Sequence, residues 1–274
     1  MTMNKTATNL SPDPSPFKRG EADDRAVDTL VRRAHAGIRR AMKRIRRPEA
    51  HVAAITSPIG QLLVAESPRG IAAVHFLWTS GPERTLELLR RQFDLVENRA
   101  FARSIAREIE GYFHGDPALL RHPIDFTLIE SEFHRRALMR LCRVGPGSVI
   151  TYQGLAAAIG EPKGSRAVGN AMATNPVPLY APCHRVIRSD LNVGNYGGGV
   201  AAKVKLLKAE GFEIGRAMNL GEHGVLGHRT TKIYCRPDCS AAQRATVANM
   251  LVFADTAHAR AAGLRACKLC GQRS

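Results

Sequence analysis

The sequence predicts an α+β fold in three folded parts behind a basic extension. Short alternating apolar runs divided by Ser-Pro and Gly turns fill 52–77, and short helical periods fill most of 82–174. Four of the six cysteines fall in two close pairs, Cys235/Cys239 and Cys267/Cys270. The expected divisions are an extension at 1–50, an N-terminal α/β subdomain at 51–128, a helix-turn-helix-bearing domain at 129–216 and a small four-cysteine module at 223–274.

Charge narrows the class of partner. Lys and Arg total 40 against 24 acids, a formal net charge of +16 with a pI near 10.2. That excess favours a polyanion, either nucleic acid or an anionic membrane. No apolar run reaches roughly 18 residues and no signal-peptide core is present, which argues against membrane insertion. Paired and isolated cysteines, rather than an even disulfide framework, point to a reducing compartment.

Residues 1–22, rich in Pro, Ser, Thr and Asn, read as disordered. From Asp23 to Arg47, Val27, Leu30, Val31, Ala34, Ile38, Ala41 and Ile45 recur at helical spacing among many arginines. Such a helix suits DNA phosphates or a solvated extension. Val52–Thr56, Gln61–Glu66 and Ile71–Leu77 read as a three-stranded meander, followed by helices over Pro82–Phe93 and Phe101–Phe113. This block shows no cluster that suggests chemistry, so its expected role is support. Glu132–Cys142 reads as a helix stopped by Gly145-Pro146-Gly147. Thr151 can cap a short helix through Ile159, and Ser165 a second to about Thr174, joined by a Gly-containing turn. The second helix carries Arg166 and otherwise mostly small side chains, which permit close approach to DNA or to a packed neighbour. Residues 212–228 read as a linker. Met250–Ala254 suits a strand, and Asp255 caps a short helix through Ala262 that Gly263 ends.

Two constellations carry chemistry. Pro182-Cys183-His184-Arg185-Val186 lies between Asn175-Pro176-Val177-Pro178 and the glycine-rich Gly194–Gly199. A thiolate is the reactive form of cysteine, and an adjacent base or cation activates it. A buried structural cysteine beside a His-Arg pair is the alternative. At the C-terminus, two Cys pairs separated by 27 residues suit a tetrahedral four-thiolate zinc site, on which so small a unit would depend to fold.

With Ser148-Val149-Ile150-Thr151-Tyr152, Arg166-Ala167-Val168-Gly169, Asn175–Pro178, Pro182–Val186, Gly194-Asn195-Tyr196 and Leu206–Gly211, the chain resembles the O6-alkylguanine-DNA alkyltransferases, or methylated-DNA–protein-cysteine methyltransferases. The resemblance implies a ribonuclease-H-like fold for 51–128. It implies Cys183 as the acceptor of the alkyl group, His184 as a base acting through water, Glu210 orienting the imidazole, and Asn175 bracing the turn. Tyr152 would donate toward the leaving guanine or rotate the phosphate outward. Arg166 would fill the vacated stack, with Ala167, Met172 and Arg185 also facing DNA, and Val177, Leu179, Val186, Tyr196 and Gly197 would line the pocket. The substrate would be O6-alkylguanine, with O4-alkylthymine beside it, in double-stranded DNA. The reaction would need no cofactor and would use each molecule once, and the protein would be a cytoplasmic, nucleoid-associated monomer of bacterial type. Three departures stand out: Glu130-Ser131-Glu132-Phe133-His134 and Ala137-Leu138 lose a packing Trp, Asn170 and Thr174 replace glycines, and Gly197 replaces a Ser.

Arg229–Cys239 and Ala261–Cys270 resemble the zinc domain of the adaptive-response (Ada) regulators. That implies Zn2+ on Cys235, Cys239, Cys267 and Cys270, with Cys235 as a second methyl acceptor from DNA phosphotriesters. The alternative is a structural zinc or DNA-binding module without chemistry. The domain order is reversed from that family, the segment preceding the first cysteine is shortened, and no regulatory helix-turn-helix follows.

Overall fold

The computed structural model describes residues 28–36, 47–116, 120, 122–214, 224–236, 239, 241 and 250–270. The chain divides into two compact units, Met1–Arg46 and Arg47–Ser274. In the first, the described residues form one helix, α1 (28–36), exposed along its whole length. Asp28 and Arg32 pair across one turn at 2.9 Å, and Leu30 stays 65% exposed. Of the helix expected over Asp23–Arg47, residues 23–27 and 37–46 lie outside the described residues, as does the stretch 1–22, and Arg47 is not helical.

The second unit opens with β1 (Glu49–Ser57), β2 (Gly60–Ser67) and β3 (Gly70–Phe76), an antiparallel meander with Ile55 opposite Leu62 and Leu62 opposite Phe76. The turn into β3 requires Gly70: its φ is +130°, and a Cβ there would strike the Pro123 carbonyl. After α2 (Glu83–Gln92) comes β4 (Asp94–Glu97), which pairs parallel with β1 and gives the order β3-β2-β1-β4. The sequence reading lacked β4. It is a four-residue edge strand with no buried residue, so it carries no periodicity to read. In α3 (Arg99–Phe113), Asn98 caps the first turn, and Phe101, Ile105, Ile109 and Tyr112 form the single buried stripe that lies on β1.

Next come α4 (Glu132–Leu141), β5 (Ser148–Thr151), α5 (Tyr152–Ala158) and α6 (Ser165–Ala173). The Thr151 hydroxyl accepts from Gly154 N at 2.9 Å, as a cap should. Ser165 differs from expectation: it is the first helical residue, Gly164 holds the cap position, and no side chain caps α6. A 3-10 turn at Cys183–Arg185, β6 (Val186–Ile187) and α7 (Val200–Ala209) complete the domain. One continuous core joins Val64, Ile105, Leu138, Leu155, Val186 and Leu206, so the strand block and the helical block are packed as one body.

The tail is built from β7 (Val225–His228), β8 (Ile233–Cys235), β9 (Met250–Phe253), α8 (Thr256–Ala261) and β10 (Arg265–Ala266). β9 pairs antiparallel with β5, Ser148 opposite Phe253 and Ile150 opposite Leu251. The result is one six-stranded sheet, β10-β8-β7-β9-β5-β6. The linker expected over 212–228 is therefore corrected at both ends. Phe212 is buried with Val149, Ile187, Leu207 and Val252, and Val225 opens a strand. All four residues of β5 are buried, so both of its edges need backbone partners, and β6 and β9 supply them.

Candidate functional site

Cys183 heads the 3-10 turn that leads into β6, and β6 runs parallel to β5, Ile150 opposite Val186. The approach loop is pinned from the other sheet, where Val74 N donates to the Pro176 carbonyl at 2.7 Å. Leu179 is buried at φ +77°, a left-handed conformation that a branched side chain holds only under surrounding constraint. Asn175 supplies part of it. Its amide nitrogen donates to Ala181 O at 2.8 Å and to Cys183 Sγ at 3.1 Å, while its side-chain oxygen accepts from Val177 N at 3.1 Å.

Cys183 is 6% exposed. Burial pushes its thiol up from the usual range, while the Asn175 amide and the charge of Lys203 pull the other way. Lys203, absent from the sequence reading, is wholly buried on α7 and donates to Val186 O at 2.7 Å. Burial brings its ammonium down to about 8. With burial the largest effect, the thiol is protonated at neutral pH, and forming a thiolate there would call for a base.

His184 is fully buried, with Nε2 3.0 Å from Glu210 Oε1. Nδ1 meets no partner among the described residues. The carboxylate fixes the proton on Nε2 and leaves the Nδ1 lone pair free to accept. Burial lowers the imidazole below its ordinary range against the pull of Glu210, which keeps the ring neutral at pH 7. Glu210 is the hub. Burial alone would raise its pKa, but His184 and then Arg185 outweigh that and hold it at about 2. Arg185 clamps it through Nε at 3.0 Å and Nη2 at 2.6 Å.

Two expected DNA contacts are corrected here. Arg185 is 7% exposed, because an ionised carboxylate buried beside a neutral histidine needs a cation, and Arg185 is the cation on the same turn. Met172 is 7% exposed and packs in the core instead of facing outward. Arg166 and Ala167 remain exposed on α6. Arg166 lines a groove of about 810 Å3 with Tyr152, Gln153, Asn170 and Arg188. Tyr152 is half-buried, and burial together with the Cys183 charge raises its phenol, which keeps it a proton donor.

The strand block does more than support. Tyr112, on α3, donates to Glu210 Oε1 at 2.5 Å and lies 3.3 Å from His184 Nε2. Sequence reasoning missed it because it closes an apolar stripe and reads as core. Removing that hydroxyl in Tyr112→Phe should cost about 1.5–3 kcal/mol of stability, the range for a hydrogen bond to a charged group, checked by urea unfolding. Phe76 and Trp78 carry the glycine-rich loop: Trp78 Nε1 donates to Gly198 O at 3.1 Å, and Phe76 meets Tyr196 edge-on at 5.5 Å. Tyr196 in turn stands edge-on to His184 at 6.4 Å, with its hydroxyl buried and without a partner among the described residues. Val177, Leu179 and Val186 are buried around the cysteine turn, and Gly197 is exposed.

In the tail, the sulfurs of Cys235, Cys239, Cys267 and Cys270 all lie within 4.8 Å of one another, and none is in a disulfide. Sulfurs tetrahedral about zinc, at about 2.3 Å from the metal, stand roughly 3.8 Å apart, so the donor set fits that ion. Cys267 N donates to Tyr234 O at 2.9 Å, which ties the second pair to β8.

Family models match three consecutive stretches: the ribonuclease-like domain of 6-O-methylguanine DNA methyltransferase at residues 51–126, the DNA-binding domain of the same enzyme at 132–212, and the metal-binding domain of Ada at 216–272. The rat methylated-DNA–protein-cysteine methyltransferase is 35% identical over 193 residues, covering 61% of this chain and 85% of the rat protein. The protein of that name from Methanosarcina barkeri is 36% identical over 156 residues, covering 57% of this chain and 94% of its own. This chain belongs to that family. The human member is 43% identical over 127 residues, a match that spans 60% of the human protein and 43% of this chain. The Mycobacterium tuberculosis O6-methylguanine methyltransferase structure is 30% identical, covering 59% of this chain and 92% of its own, with a TM-score of 0.49. Cys183, His184 and Glu210 fall inside the stretch matched at 132–212, and the four clustered cysteines inside that at 216–272. No described helix is long and apolar enough to cross a membrane.

Proposed function

We propose that this protein repairs alkylated double-stranded DNA by transferring the alkyl group from guanine O6, and from thymine O4, irreversibly to Cys183. The observation that carries the proposal is the buried relay of Cys183, His184 and Glu210, with Asn175 on the sulfur and one imidazole nitrogen left open. The target carbon lies inside the duplex, so the nucleotide must be flipped out at a cost of a few kcal/mol. Arg166, exposed on α6 beside the groove, suits the stack left behind.

The chemistry balances within the chain's own groups. A water relays the thiol proton to His184 Nδ1, and the imidazolium forms against ionised Glu210. Sγ bonds to the alkyl carbon as the carbon–O6 bond breaks, and the bonding pair leaves on the guanine. Tyr152 provides the proton that the base takes up. Cys183 ends as a thioether, so each molecule turns over once and the transfer itself requires no cofactor.

The pH profile tests the relay. Glu210 stays ionised throughout, Cys183 does not titrate near neutrality, and the lowered His184 sets the acid limb. The transfer rate should hold from about pH 8 to about 6.5 and fall only at more acid pH, as the imidazole protonates against its burial. An acid limb beginning above the ordinary imidazole value would exclude His184 as the base.

For the tail, four thiolates would hold Zn2+, and Cys235 would accept a methyl group from a DNA methylphosphotriester. The match to the Ada metal-binding domain and the four-sulfur cluster support this reading. The competing reading is a structural zinc module. Mass mapping of methylated cysteines after incubation with DNA bearing labelled O6-methylguanine, and separately with DNA bearing labelled methylphosphotriester, tests both halves. Label on Cys183 from the first and Cys235 from the second is expected. No label on Cys183 would sink the main proposal, and none on Cys235 would leave the tail structural. A monomer in the cytoplasm, associated with the nucleoid, is the setting this chemistry implies.

A further inference from the structure

Where the tail docks against the end of α4, a cavity of about 500 Å3 opens between the two. Arg140 and Arg143 enter it from one side, Arg229 and Lys232 from the β7–β8 turn, and His258 from α8, over a floor that includes Phe253 and Leu264. The turn is fixed: Lys232 is held at φ +56°, its N–H donates to His228 O at 2.9 Å, and its carbonyl accepts from Arg265 N at 2.9 Å. The seam itself is close-packed, since a Cβ at Gly147 would overlap the His258 ring.

Among the described residues, no ion pair joins Arg140, Arg143, Arg229 or Lys232 to a carboxylate. The nearby acid, Asp255, is engaged by His258 Nδ1 at 2.9 Å and caps α8. Burial, then the charges of Arg229 and Arg143, lower the Arg140 pKa, so these cations stand close enough to feel one another. Like charges so arranged repel one another, and a bound oxyanion reverses the sign of that energy. Neither the Cys183 relay nor the four-sulfur cluster uses this cavity. Its walls come from both segments, so it exists only because β9 joins β5.

We propose that this seam binds a phosphate oxyanion, and that in the working protein the oxyanion is a backbone phosphate of a nucleic acid, outside the groove along α6. An ordinary phosphodiester recognised by arginine forks and a lysine over an apolar floor is the chemistry the cavity offers. This stands independently of alkyl transfer at Cys183: the site can be occupied by undamaged DNA.

The test uses the full chain and an undamaged duplex, with affinity measured across a salt series. Each neutralised phosphate contributes about 0.9 to the slope of log K against log salt. Arg229→Ala/Lys232→Ala should lower that slope by roughly 1 to 2, with a melting temperature close to wild type. Inorganic phosphate at millimolar concentration should raise the melting temperature of wild type and not of the variant. Arg143→Ala and Lys232→Ala singly, both at exposed positions, serve if the double variant fails to fold. A reduced slope supports the nucleic-acid source. Stabilisation by phosphate with an unchanged slope keeps the oxyanion site and overturns the nucleic-acid source. An unchanged slope in every variant with no stabilisation by phosphate overturns the proposal.

Discussion

Cys183→Ser should abolish transfer of label from O6-methylguanine DNA while leaving binding of undamaged duplex at its wild-type level. The Sγ that Asn175 touches at 3.1 Å is the proposed nucleophile, and a hydroxyl in its place is far less acidic and less polarisable. Removing a covalent nucleophile costs on the order of 10⁶-fold where it has been measured, which for a single-turnover reaction means no detectable product. Binding should persist because the proposed DNA groove along α6 is lined without Cys183. Rapid-quench measurement of labelled protein, paired with a duplex-binding assay, separates the two effects. Label reaching Cys183→Ser protein at a comparable rate would place the acceptor elsewhere, with Cys142 and Cys235 the first positions to map.

Removing the metal should be felt in the alkyltransferase domain as well as in the tail. Native mass spectrometry is expected to find one zinc per chain, and none after Cys239→Ser/Cys270→Ser. Structural zinc contributes apparent binding energies of about 10–16 kcal/mol in small finger peptides, and among the described residues the tail's own buried cluster is small: Val225, Tyr234, Phe253, Ala259 and Leu264. With the metal gone, β8 and β10 lose their anchor, β9 loosens, and the β5 edge that faces it is bared. β5 runs straight into Thr151 and the cap of α5, and it pairs with β6 directly after the cysteine turn. Hydrogen exchange at Ser148–Ile150 should therefore quicken by orders of magnitude, the melting temperature should drop, and transfer onto Cys183 should slow. Unchanged exchange at Ser148–Ile150 in the zinc-free protein would show that the two segments fold independently.

Much of this was legible from local chemistry. The Ser-Pro and Gly turns that bound β1, β2 and β3, the Thr151 and Asp255 caps, and the paired cysteines all act within a few residues of themselves. A turn dihedral, a cap and a ligand pair are decided at that range, so the sequence determined them, along with Cys183 beside His184. Tertiary structure alone decided what those elements meet. Tyr112 reaches Glu210 across 98 positions, a partnership invisible in a helix whose stripe simply looks apolar. Arg185, charged, and Met172, long and flexible, both suit a DNA face by type but are turned inward, one by an ionised carboxylate and the other by core packing. The joining of β9 to β5 rests on backbone hydrogen bonds, which every residue but proline can make, so no side-chain pattern announces it. Side-chain chemistry marked the candidate reacting atoms; burial and backbone pairing chose their company.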